Sequence, residues 1–171
     1  MTLPLSRVCV PVFSQFLGSL SGVLDKAAAQ AAARKIDPAA LLQARLFPDM
    51  FPLARQVQVA TDFAKGATAR LAGVPVPAWA DEEKTFSELI NRLSRTIHFV
   101  QGADRAAIDA AADRDVTFNV GPTERVMKGG DYLLHVALPH FYFHVTTAYD
   151  LLRHNGIELG KRDYMGQVPG L

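Results

Sequence analysis

The sequence predicts a mainly α fold: an up-and-down four-helix bundle with short extra helices and a small β-hairpin just before the last long helix. Three observations carry that prediction. Apolar residues recur at gaps of three and four along the long stretches of the chain. The connections between those stretches are short, as antiparallel neighbours require. The segment from Asp131 to Gly156 is apolar nearly all the way round, which suits a helix enclosed by others. With 171 residues the chain fits one domain, residues 1–171, large enough for a real core.

The first helix is marked by Leu5, Val8, Cys9, Val12, Phe13, Phe16, Leu17, Leu20, Val23, Leu24 and Ala27, and runs to about Arg34. Pro11 lacks an amide proton, so the helix starts near it or bends there. Gly18 and Gly22, one turn apart, cost helix propensity and allow a close neighbour. Asp37-Pro38 pairs an N-cap with proline at the first helical position and opens a short helix that stops before Phe47-Pro48. Pro48 and Pro52 then confine the chain ahead of the second long helix, Leu53 to Ala72, which Gly73 ends. Its face of Leu53, Val57, Ala60, Ala64, Ala67 and Leu71 is made mostly of small residues, fit for tight packing on a bulky partner.

Pro75 and Pro77 mark a loop, in which Trp79 is expected to pack on the bundle. The third long helix, about Glu83 to Gln101, carries the stripe Phe86, Leu89, Ile90, Leu93, Ile97 and Val100, with His98 at its boundary. Asp104 caps a short Ala-rich helix. Val116, Phe118 and Val120 then alternate, Gly121-Pro122 turns, and Glu124 to Lys128 runs back, which is a hairpin pattern. Asp131 caps the last long helix, Arg153 and His154 complement its dipole, and Gly156 stops it. The residues after it show no periodicity and are expected to be extended.

Composition narrows the function. Hydrophobic residues make up 49% and charged residues 20%, an ordinary globular balance. A net charge of +1 argues against a nucleic-acid partner, which a basic patch would announce. The first twenty residues hold only Arg7 as a positive charge, and Ser14, Gln15 and Gly18 interrupt their apolar run, so neither export nor a membrane span is expected. Cys9 is the single cysteine, which excludes an intrachain disulfide and fits a reducing compartment. A cytoplasmic location follows as the expectation.

Four of the five histidines fall in the last long helix. His140 and His144 stand four residues apart, roughly 40° around the helix and one turn above each other, facing the interior of the bundle. Two imidazoles aimed at one point can hold a divalent metal. The same pair can instead be structural, hydrogen-bonded to Tyr142, Tyr149, Gln56 or Asp62.

The residues HFYFHVTTAYDLLRHNGIELGKRDY, with their His-x3-His pattern, resemble the last helix of the DinB/YfiT-like superfamily. Together with RLFPDMFPLARQVQVATDFAKGATARLAG they resemble a bacterial family of unknown function within it, over nearly the whole chain. The resemblance implies a four-helix bundle and, in many members, a metal held by three histidines. Two of those match His140 and His144. The third belongs near the start of the second long helix, where this chain has no histidine and Gln56 stands nearest. A neutral amide oxygen is a poorer ligand than imidazole for zinc or nickel. Three other residues are candidates for the third position. Asp49 lies just upstream, His98 on the third helix, and His135 five residues before His140. Pro139 can force a bulge that returns His135 to the same face.

Two functions are therefore expected. One, implied by the resemblance, is a divalent-metal-dependent hydrolase or thiol transferase using zinc, nickel or iron on His140, His144 and Gln56 or Asp49. Its metal would activate water or a thiol cosubstrate. The other is a bundle without a metal that binds a small molecule in a cavity lined by Phe141, Tyr142 and Tyr149, or acts mainly as a homodimer. In that case Arg45, Asp49, Arg55 and Asp62 are salt-bridge or interface groups rather than site residues.

Overall fold

The computed structural model describes residues 3–170. Four long helices form a bundle, with α3 antiparallel to α7: α1 (Leu5–Ala33), α3 (Leu53–Ala72), α4 (Phe86–Gln101) and α7 (Leu138–His154). The short helices α2 (Pro38–Leu42), α5 (Arg105–Asp109), α6 (Gly129–Tyr132) and α8 (Lys161–Met165) punctuate the connections. The main pairings are α1 with α4 and α3 with α7, closed by α3 against α4 and α1 against α7. One apolar core runs from Cys9 and Phe13 through Leu53, Leu89 and Phe141 to Leu159.

The predicted punctuation largely holds. Asp37 and Asp104 cap α2 and α5 through their carboxylates. Gly73 closes α3 in the left-handed conformation. α4 begins at Phe86, three residues later than expected, because Thr85 and Glu88 form a capping box that fixes its start. α1 begins at Leu5 and takes Pro11 into its interior. By length and composition α1 is also apolar enough to cross a membrane, and half of that stretch is buried within the bundle.

Two strands, β1 (Asp115–Val120) and β2 (Thr123–Lys128), pair antiparallel. Gly121 supplies the positive φ of 58° that a type II′ turn asks of its first central residue. Val116 and Phe118 face the core, whereas Val120 is exposed.

The last long helix departs most from expectation. It is broken into α6, a π turn over Leu133–Ala137, and α7, with Pro139 at the start of α7. The wide turn is the bulge that Pro139 predicts. Lys128 occupies the capping position, and Asp131 stands inside the first turn. The helix is not enclosed on all sides either, since Leu134 and Phe143 are more than half exposed. The tail expected to be extended forms α8 instead. Ion pairing of Asp163 with Lys26 and packing of Tyr164 on Phe16 and Tyr149 hold it against α1 and α7. Those partners are distant in sequence, so no local pattern announces them.

Gly129 is where the hairpin meets the bundle. A β-carbon there would lie 2.1 Å from the backbone oxygen of Ala111, a contact only glycine avoids. Gly18 is the opposite case, exposed on α1 with open space around it. Gly129→Ala is therefore expected to destabilise the fold by at least about 2 kcal/mol. Gly18→Ala should stabilise it by roughly 0.5–1 kcal/mol. Urea unfolding of both variants checks the contrast.

Candidate functional site

The site lies on the antiparallel contact between α3 and the α6–α7 segment. Three positions on α3, each seven residues from the next, meet three on its partner. Gln56 meets His144, Phe63 meets His140, and Arg70 meets Tyr132. Seven residues is close to two helical turns, so the three lie along one edge of α3. The small residues Ala60, Ala64 and Ala67, all fully buried, let α3 approach its bulky partner.

His144 is 7% exposed, and its Nδ1 lies 2.7 Å from Gln56 Oε1. The amide's orientation is fixed at its other end, where Gln56 Nε2 donates to the Phe51 carbonyl at 3.1 Å. The oxygen can therefore only accept, so His144 carries its proton on Nδ1 and keeps a lone pair on Nε2. Burial, and then the neighbouring His140 and Arg55, push its pKa from 6.5 down to about 4. His144 is thus a neutral, oriented imidazole at neutral pH. Phe143 packs edge-on against it from the solvent side.

His140 stands one turn away at the surface, not in the interior. Phe63 brings the two histidines together. Its ring stacks on His140 with centroids 4.6 Å apart and on His144 at 5.8 Å, with planes within 15° in both cases. His140 also opens onto a cleft of about 310 Å³ lined by Phe63, Arg70, Phe118, Asn119, Tyr132 and Val136, among others.

The other candidates lie apart. The π turn places Val136 in that cleft, and His135 is exposed outside its lining. Asp49 is exposed in the turn before α3, and His98 is exposed in the last turn of α4. Among the described residues no cluster of three or more His, Cys, Asp or Glu side chains is placed to hold a metal ion. Gln56 is the only candidate third ligand beside the pair, and both ends of its amide are already spent within the protein. The donor set does not fit a resident ion held by three strong ligands. Phe141, Tyr142 and Tyr149 pack against Phe13, Phe16 and Tyr164 respectively. Cys9 is buried, with its thiol pushed up to about 11 mainly by desolvation, and is no nucleophile.

Arg92 and the cleft's Arg70 are the residues that periodicity did not single out. Arg92, buried on α4, donates to Thr61, Asp62, Ala80 and Glu83 and pairs with Asp81. It fastens α3 to the proline loop. Trp79 packs there as expected, with Arg95 over its ring at 4.0 Å.

A helical bundle with a paired histidine on its last long helix, facing the start of the second, defines a DinB-like protein. The crystal structure of a DinB family member from Shewanella denitrificans matches it with a TM-score of 0.89 at 39% identity, over 96% of this chain and 93% of that one. The sequence model of the family described as "Domain of unknown function (DUF1993)" matches residues 5–165, and the chain belongs to that family. No curated protein matches the chain.

The depressed pKa of His144 sets a pH dependence. Folding disfavours its protonated form, so the unfolded chain binds the extra proton between about pH 6.5 and 4. Stability is expected to be highest above pH 6.5 and to fall through that window, by up to about 3 kcal/mol. His144→Leu should remove this component. Gln56→Ala, which leaves a buried N–H without an acceptor, should cost about 1–3 kcal/mol at pH 7.5. Denaturant titrations at several pH values measure all three.

Proposed function

We propose that this protein is a small-molecule-binding member of the DinB-like bundles that works without a resident divalent metal. The observation that carries this reading is the state of Gln56. At the position where the resemblance puts a third histidine, its oxygen accepts from His144 and its nitrogen donates to Phe51. It positions an imidazole and does not complete a ligand set. The neutral His144 and the accessible His140 then serve as hydrogen-bonding groups beside the cleft. A homodimer is the proposed assembly, supported by the exposed aromatics Phe47, Phe51 and Phe143. The cytoplasm is the proposed location, supported by the single buried thiol.

One observation favours the second reading, a metal-dependent hydrolase or thiol transferase. An amide that holds Nδ1–H and leaves Nε2 free is also how an outer-shell partner prepares a metal-binding histidine. His140 and His144 would then hold the ion and leave positions for water or a thiol.

Metal analysis of protein purified without a histidine tag separates the two. The wild type is expected to carry well under one equivalent of zinc, nickel or iron. Gln56→His, which supplies the missing imidazole, should acquire close to one zinc per chain. Stoichiometric metal in the wild type, lost in His144→Ala, would establish the enzyme reading instead.

A further inference from the structure

The cleft beside His140 has an asymmetric lining. Phe63, Phe118 and Tyr132 form apolar walls, and Phe118 packs on Tyr132 with ring centroids 4.9 Å apart. The polar groups are Arg70, Asn119, His140 and Asp62. Arg70 is half-buried, and its one side-chain hydrogen bond among the described residues runs from Nη1 to the Tyr132 hydroxyl at 3.3 Å. None of the described carboxylates pairs with it, whereas three other cations of α3 and α4 are matched. Lys65 pairs with Asp62, Arg55 with Asp81, and Arg92 with Asp62, Asp81 and Glu83. The carboxylate on the cleft's own wall, Asp62, is thus held by Lys65 and Arg92. The chain also makes room for the guanidinium: a β-carbon on Gly66 would stand 2.7 Å from Arg70 Nη1.

We infer that this cleft binds a small organic anion, a carboxylate on a planar apolar body, with the carboxylate on Arg70 and Tyr132 and the body between Phe63 and Phe118. A guanidinium presents paired donors that match a carboxylate. The Tyr132 hydroxyl accepts from Arg70, so its own proton is free to point at the same anion. The aromatic walls supply area for a flat ring. A volume of about 310 Å³ sits at the small end of ligand cavities, the size for a single-ring acid. His140 stands on the same lining and meets the far end of the ligand. The inference rests on the small-molecule reading above and names the ligand class.

Calorimetric titration with benzoate, phenylacetate, their neutral amides and inorganic phosphate tests it, on wild type, Arg70→Met and Gly66→Ala. The wild type should bind at least one of the acids at least about tenfold more tightly than its amide. Arg70→Met should erase that preference while unfolding at the same urea concentration as wild type. Gly66→Ala, which displaces the guanidinium with its chain position unchanged, should weaken acid binding and spare amide binding. Equal affinity for acid and amide in wild type would overturn the anion inference and leave the small-molecule reading standing. Phosphate binding as tightly as the acids would overturn the planar body. Binding of none of the probes by wild type would overturn both.

Discussion

The close antiparallel packing of α3 on α7 is the constraint from which the rest of the molecule follows. It needs a helix with almost no side-chain bulk on one face, which the buried alanines of α3 provide, and a partner whose ring side chains reach it, which His140 and His144 provide. Ridges of large residues then settle into a shallow groove, and the helices come close enough for side chains to meet directly across the seam. Gln56 reaches His144 without an intervening water only because of that proximity. The polar rungs add little net energy, but once buried they are costly to leave unmade, so they fix the register that apolar contacts alone tolerate loosely.

Much of this order was legible in the sequence. The apolar periodicity of α1, α3 and α4, the Asp-Pro cap of α2 and the hairpin turn at Gly121 rest on local rules, and local rules survive folding. The one-turn spacing of His140 and His144 also brought their rings to a common neighbour, as helical geometry requires. Burial was less legible. An apolar count around a helix does not say where its neighbours end, and so Leu134, His140 and Phe143 lie open. α8 escaped notice because its stability comes from Lys26, Phe16 and Tyr149, far away in sequence.

The site shows the same division. That Gln56 stands opposite His144 could be argued from position. That its amide is anchored at both ends could not, because Phe51 contributes a backbone carbonyl and backbone atoms leave no trace in residue identity. Arg70 sits on the polar edge of an otherwise ordinary helix and looks solvent-facing on paper. Only the arrival of the hairpin, with Phe118, turns that edge into a wall. The unmatched charge of Arg70 becomes visible only once Lys65, Arg55 and Arg92 have found their carboxylates.

The π turn at Leu133–Ala137 amounts to one extra residue lodged between the Tyr132 and His140 rungs. It acts as a slack link. α7 keeps its own pitch against α3, and the segment carrying Tyr132 is turned by roughly 100° relative to where an uninterrupted helix would put it. A chain one residue shorter at this point could run as an unbroken helix and would still place the tyrosine about two turns before the histidine, on the same edge. The wide turn therefore lets the fold absorb a residue here while both ends of its cleft keep their places.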